Sequence, residues 1–139
     1  MRGLEVLETC VYADDLEAAR AFYEGVLGLE PLVADPERHL FFRLGRGMFM
    51  VFRPEATAEP GGSVPPHGAR GPGHVAFAVE GGEVDAWRRH LIAAGVEVEA
   101  EHTWPRGGRS LYLRDPAGNS VELAEPRIWG LDGEAVLRP

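Results

Sequence analysis

The chain has 139 residues, enough for one domain or two small modules sharing a core, and its 45% hydrophobic and 26% charged residues are ordinary for a globular protein. A net charge of −8 argues against a nucleic-acid surface, and with every one of its 14 basic residues an arginine, Schiff-base chemistry through a lysine amine is excluded. No apolar run approaches the roughly 20 residues of a membrane span, no signal peptide opens the chain, and the single Cys10 forms no internal disulfide, so a cytoplasmic protein is expected.

The first half reads as a strand from Leu4 to Ala13 and a helix from Asp15 to Leu27. Asp14 or Asp15 caps that helix, because a side-chain carboxylate accepts from the free first-turn N–H groups. Leu16, Ala19, Phe22, Tyr23 and Val26 recur at helical spacing, and Gly28 stands where a helix C-terminus stops. Three extended segments follow, Glu30 to Ala34, His39 to Leu44 and Met48 to Arg53, with Gly45-Arg46-Gly47 as the turn between the last two. The stretch from Pro54 to Pro72, rich in Pro, Gly and Ala, reads as an exposed linker.

The second half repeats the order. Gly73 to Val79 is a strand, Glu83 to Ala94 a helix ended by Gly95, and Val96 to Ala100, Ser110 to Arg114 and Ser120 to Ala124 are strands. Glu8 and His74 are 66 positions apart, Gly28 and Gly95 67, and Met50 and Glu122 72, so the halves keep one register apart from extra residues in the hairpins. The expected fold is α+β: two β-α-β-β-β modules, residues 4–53 and 73–126, forming a cupped mixed sheet with helices outside. A tail over residues 127–139 has no clear period, but Ile128, Trp129 and Leu131 suggest that it packs on something.

Alternation of side chains along a strand separates two faces. In His74–Val79 and Ser120–Ala124 one face is apolar (Val75, Phe77, Val79, Val121, Leu123). The other places His74 and Glu122 among small residues, which leaves room for a ligand. The same rule turns His39, Phe41 and Arg43 away from an apolar Leu40-Phe42-Leu44 face, aligns Met48, Met50 and Phe52 with Glu122, and opposes Ser110 and Tyr112 to Leu111 and Leu113.

The paired halves, Ala21-Phe22-Tyr23 with Val26-Leu27-Gly28-Leu29, Gly73-His74-Val75-Ala76-Phe77, and Asp115-Pro116-Ala117-Gly118-Asn119-Ser120-Val121-Glu122-Leu123 together resemble the vicinal oxygen chelate superfamily. That group holds glyoxalase I, bleomycin- and fosfomycin-resistance proteins and extradiol dioxygenases. The resemblance covers about Leu4 to Pro126 and speaks for the fold more than for a reaction. It implies a divalent metal (Mn, Fe, Ni, Co or Zn) held by Glu8, His74 and Glu122, a substrate with adjacent oxygens, and a homodimer. Two positions depart from the family pattern. Glu8 stands where histidine is usual, and Met50 stands where glyoxalase I has a fourth, carboxylate ligand; a thioether is a poor ligand for a hard ion.

On this reading His39 or the metal-bound Glu122 moves the proton, since imidazole titrates near neutrality. Phe41, Arg43, Met50, Phe52, Trp104 and Tyr112 line the substrate cup. Trp104-Pro105-Arg106-Gly107-Gly108-Arg109 could close over an anion or serve only as a hairpin connection. The competing reading of the same residues is structural: Glu8 tied to an arginine, His74 a satisfied strand histidine, His39 an edge histidine in solvent, and Met48, Met50 and Phe52 core. His67 reads as an exposed linker histidine and Cys10 as a small core residue. The competing function is a metal-free protein that sequesters a drug-sized molecule, as bleomycin-resistance proteins do.

Overall fold

The computed structural model describes residues 3–131. The chain forms two compact units, Met1–Gly71 and Pro72–Pro139. The first unit contains β1 (Glu8–Tyr12), α1 (Leu16–Arg20), a π-helical continuation (Ala21–Val26), β2 (Glu30–Asp35), β3 (His39–Leu44), β4 (Gly47–Phe52) and the short α2 (Pro54–Thr57). The second contains β5 (His74–Ala78), α3 (Val84–Ala93), β6 (Ala100–Thr103), β7 (Arg109–Arg114), β8 (Ser120–Ala124) and a 3-10 helix (Pro126–Trp129). Each unit is thus β-α-β-β-β around a four-stranded mixed sheet, in the order β1-β4-β3-β2 and β5-β8-β7-β6. The first strand pairs parallel with the last, and the remaining pairs are antiparallel.

In the first unit Asp15 caps α1, its carboxylate accepting from Ala18 N–H at 3.0 Å. The predicted single α-helix widens after Arg20, where Leu27 N–H reaches back five residues to the Phe22 carbonyl. Gly28 then adopts φ +71°, the left-handed turn that a side chain disfavours, and ends the helix. The widened turn sets Tyr23 fully buried against Phe42 and Phe49, with ring centroids 6.1 and 4.9 Å away. Val11, Leu40, Phe42, Phe49 and Val51 complete this apolar face. In the second unit Val75, Leu111, Leu113, Val121 and Leu123 are buried on the equivalent face, as are Val84 and Leu91 of α3.

Three boundaries differ from expectation. The first strand starts at Glu8, and Leu4, Val6 and Leu7 before it are exposed, although Leu7 still accepts from Met48 N–H at 2.9 Å. The strand expected over Val96 to Ala100 lies instead at Ala100–Thr103, because the pairing with β7 begins at Ala100 opposite Tyr112. The segment expected as a wholly exposed linker opens with α2, whose Pro54 and Thr57 are buried; exposed chain follows from Ala58. Pro at the first helical position and Thr57 Oγ1 bonding to the Arg53 and Pro54 carbonyls account for that turn. Of the tail, Ile128, Trp129 and Leu131 line a cleft of the second unit, and residues 132–139 lie outside the described ones.

Candidate active site

In the second unit β5 and β8 run parallel with Ala76 opposite Glu122 and His74 opposite Ser120. Alternation places His74, Ala76, Ala78, Ser120, Glu122 and Ala124 on the face away from the core. The His74 Nε2 lies 3.4 Å from Glu122 Oε2, and the Tyr112 hydroxyl donates to Glu122 Oε1 at 3.1 Å. Glu122 is 6% exposed, a buried carboxylate, whereas His74 is exposed. Burial, then the hydrogen bond to Glu122, pushes the Tyr112 phenol up, so it stays a proton donor to that carboxylate.

The other ring nitrogen fixes the histidine. His74 Nδ1 lies 3.1 Å from the Ser120 carbonyl oxygen. A carbonyl only accepts, so Nδ1 carries a proton and directs Nε2 toward Glu122. Nε2 and the Glu122 carboxylate oxygen stand 3.4 Å apart. That spacing suits two donors of one tetrahedral divalent ion at bond lengths of about 2.1 Å, and an N–H bonded to a backbone carbonyl is a common support for a metal-binding imidazole. An imidazolium–carboxylate ion pair is the metal-free alternative. Among the described residues no group of three or more His, Cys, Asp or Glu side chains is arranged to hold a metal.

The turn before β8 holds this pair in register. Asp115 Oδ1 accepts from Ala117 and Asn119 N–H, and Asn119 Nδ2 donates to Asp115 Oδ2 at 2.8 Å. Asn119 Oδ1 in turn accepts from Gly73 N–H at 2.7 Å, and Ser120 N–H donates to the Gly73 carbonyl. Gly73 immediately precedes His74, so the Asp115–Asn119 turn ties the start of β5 to the start of β8. Trp104 donates to Ser110 Oγ at 2.8 Å and packs edge-on to His102 at 4.5 Å. His102 faces Ser110 across β6 and β7, on the Glu122 side. Sequence reasoning misses it because the strand is expected a few residues too early; the correct register exposes it by alternation.

In the first unit the face opposite the core carries rows set by pairing: Glu8–Met48–Arg43, Cys10–Met50–Phe41 and Tyr12–Phe52–His39. Glu8 and Arg43 are exposed, Phe41 and Phe52 half-buried, and Met50 is 9% exposed. His39 stacks on Phe41 at 4.1 Å and lies edge-on to Phe52 at 6.2 Å. Its Nδ1 is buried without a hydrogen-bond partner among the described residues. Burial is the largest influence on its pKa and pushes it down; Asp35 opposes that and Arg38 adds to it, so the ring is neutral at pH 7. His67, expected as a bystander, accepts from or donates to the Tyr12 hydroxyl at 2.7 Å and lies edge-on to Phe52 at 4.8 Å. Its signal in the sequence is only its place in a Pro- and Gly-rich stretch. Burial, reinforced by Cys10, raises the Tyr12 pKa.

Two β-α-β-β-β units, the second with a strand histidine beside a strand glutamate, define the class of fold. The sequence matches the Glyoxalase/Bleomycin resistance protein/Dioxygenase superfamily over residues 5–123, and the chain belongs to that superfamily. Among solved structures it is similar to a lactoylglutathione lyase from Agrobacterium tumefaciens, with 42% identity over 94% of this chain and 100% of that one, and a TM-score of 0.89. It shares its fold with a glyoxalase/bleomycin resistance protein/dioxygenase from Nocardioides (23% identity, 90% of this chain and 85% of that one, TM-score 0.69). The same holds for a glyoxalase/dioxygenase from Nostoc punctiforme (21%, 86% and 89%, TM-score 0.64). A sequence comparison with curated proteins found no match.

Proposed function

We propose that this protein is a divalent-metal-dependent enzyme acting on a small substrate with adjacent oxygens. The observation that carries the reading is the His74–Glu122 pair, an imidazole nitrogen and a buried carboxylate 3.4 Å apart with the imidazole oriented by a backbone carbonyl. His74 and Glu122 hold the ion, and Glu8 is the further ligand that the family pattern suggests. A bound divalent ion supplies Lewis acidity toward a carbonyl or enediolate oxygen. The residues do the rest: Tyr112 orients Glu122, Ser120 orients His74, and Glu122 or the neutral His39 takes the proton. Phe41, Arg43, Met50, Phe52 and Trp104 are the proposed substrate contacts, and the working form is a homodimer in a cytoplasmic setting. No helix among the described residues is long and apolar enough to cross a membrane.

The test is elemental analysis of protein purified without chelator or affinity metal, on the parent, His74→Ala and Glu8→Gln. Stoichiometric metal in the parent and none in His74→Ala is expected; Glu8→Gln reads whether Glu8 belongs to the ligand set. No metal in the parent favours the metal-free ligand-sequestering protein.

The similarity to the Agrobacterium protein raises lactoylglutathione lyase activity as a second reading. Met50 argues against it. A buried thioether on the β4 face cannot take or release a proton at neutral pH. Turnover of the methylglyoxal–glutathione adduct is therefore expected to be negligible, and Met50→Glu to create at most a trace. Substantial turnover by the parent would transfer the proton-moving role to another residue, His39 foremost.

A further inference from the structure

A half-open cleft of about 170 Å³ lies in the second unit, lined by Ala76, Phe77 and Ala78 of β5, Ala124 of β8 and, from the segment after it, chiefly Ile128 and the exposed Trp129. Its lining is almost wholly apolar. The one carboxylate there, Glu125, is engaged elsewhere: it accepts from Gly82 N–H and Arg109 N–H and lies 3.5 Å from Arg127. Ala76 is the strand partner of Glu122, and Ala78 of Ala124. Same-face neighbours on a strand are about 7 Å apart, so the cleft begins one side chain from the buried carboxylate of the His74–Glu122 pair.

The size selects an occupant. Apolar cavities of about 150 Å³ take up a benzene-sized molecule. The methyl groups of Ala76, Ala78 and Ala124 leave that space, and any larger side chain would fill it. The 3-10 helix that borders it packs against Gly108, whose φ is +91° and where an added Cβ would stand 2.6 Å from Ile128 Cγ2.

We infer that this cleft is the subsite for a ring-sized apolar substituent, and that the substrate carries an aromatic or branched alkyl group on the carbon next to its paired oxygens. The inference rests on the chelate reading above for the oxygens, and on the cleft alone for the ring. Its probes are two 2-hydroxy acids that differ only in that substituent, mandelate with a phenyl ring and lactate with a methyl group.

Each is titrated calorimetrically into the full chain, with and without Mn²⁺. With Mn²⁺, mandelate is expected to bind about tenfold or more tighter than lactate, the advantage that burying a ring gives. Ala78→Leu, which fills the cleft, is expected to erase that advantage. Equal affinities in the parent, or an advantage that survives Ala78→Leu, would overturn the inference. A ring preference that persists without any effect of metal supports the cleft and sinks the chelate reading instead; binding of neither acid sinks both. Trp129→Ala followed by sedimentation addresses the rival occupant, a second copy of the chain. Dissociation of an oligomer with an unchanged mandelate-to-lactate ratio would assign the cleft to subunit contact and overturn the subsite.

Discussion

At the scale of single residues, the site depends on how each polar atom is satisfied. Tyr112 donates its hydroxyl to a carboxylate that is only 6% exposed. Removing that hydroxyl strips a charged acceptor, and hydrogen bonds to charged groups are worth about 1.5–3 kcal/mol. Tyr112→Phe is expected to lower stability in chemical denaturation by roughly that amount and to weaken metal binding, because Glu122 loses the bond that orients it. A denaturation midpoint equal to the parent's would show that the bond is replaced by water. His74 and Glu122 are both legible in the sequence, since strand alternation and two small-residue faces suffice to find them. His67 and His102 are not: one depends on a loop returning over Tyr12, the other on the register of a short strand.

Among the elements, α3 buries Val84 and Leu91, and charged groups add contacts from it and from the 3-10 helix to the second sheet. Arg109 on β7 pairs with Asp85 of α3 and with Glu101 of β6, and Arg88 joins the same group. Hydrogen bonds from Arg109 and then Arg88 draw the Asp85 carboxyl down to about 2. Asp85 is half-exposed, so solvent screens the pair and it contributes little. Glu125 differs, being 2% exposed. Burial alone would raise its pKa, but the Gly82 and Arg109 N–H donors, with Arg127, outweigh that and hold it below the usual glutamate value. A folded pKa below the unfolded one gives stability that is complete above about pH 4.5 and is lost as the pH falls through the folded value. Glu125→Gln should therefore be less stable than the parent at pH 7 and show a shallower loss of stability as the pH falls below about 4.5. Parallel acid-denaturation curves for the two proteins would count against this account.

For the molecule as a whole, the consequences concern what binds the folded state. If metal binds the His74–Glu122 pair, a chelator should lower the thermal midpoint, because a ligand present at 100 times its Kd adds about 2.7 kcal/mol to folding. His74→Ala should be insensitive to chelator; an equal shift in both proteins would place the metal elsewhere. The proposed homodimer has support in β1 and β5, each an outermost strand of its sheet, and in the exposed Leu4, Val6 and Leu7. The sequence by itself determined the two β-α-β-β-β units and which face of each strand is apolar, because those follow from local spacing and from glycines that stop helices. It also singled out His74 and Glu122, whose strands are short and regular. Only the tertiary structure decided that Ser120 turns His74 Nε2 toward Glu122, that Asn119 anchors Gly73, and that Trp129 borders a ring-sized cleft. Each of these joins residues distant in the chain, and their separation depends on strand register and on how a loop returns, which no local pattern encodes.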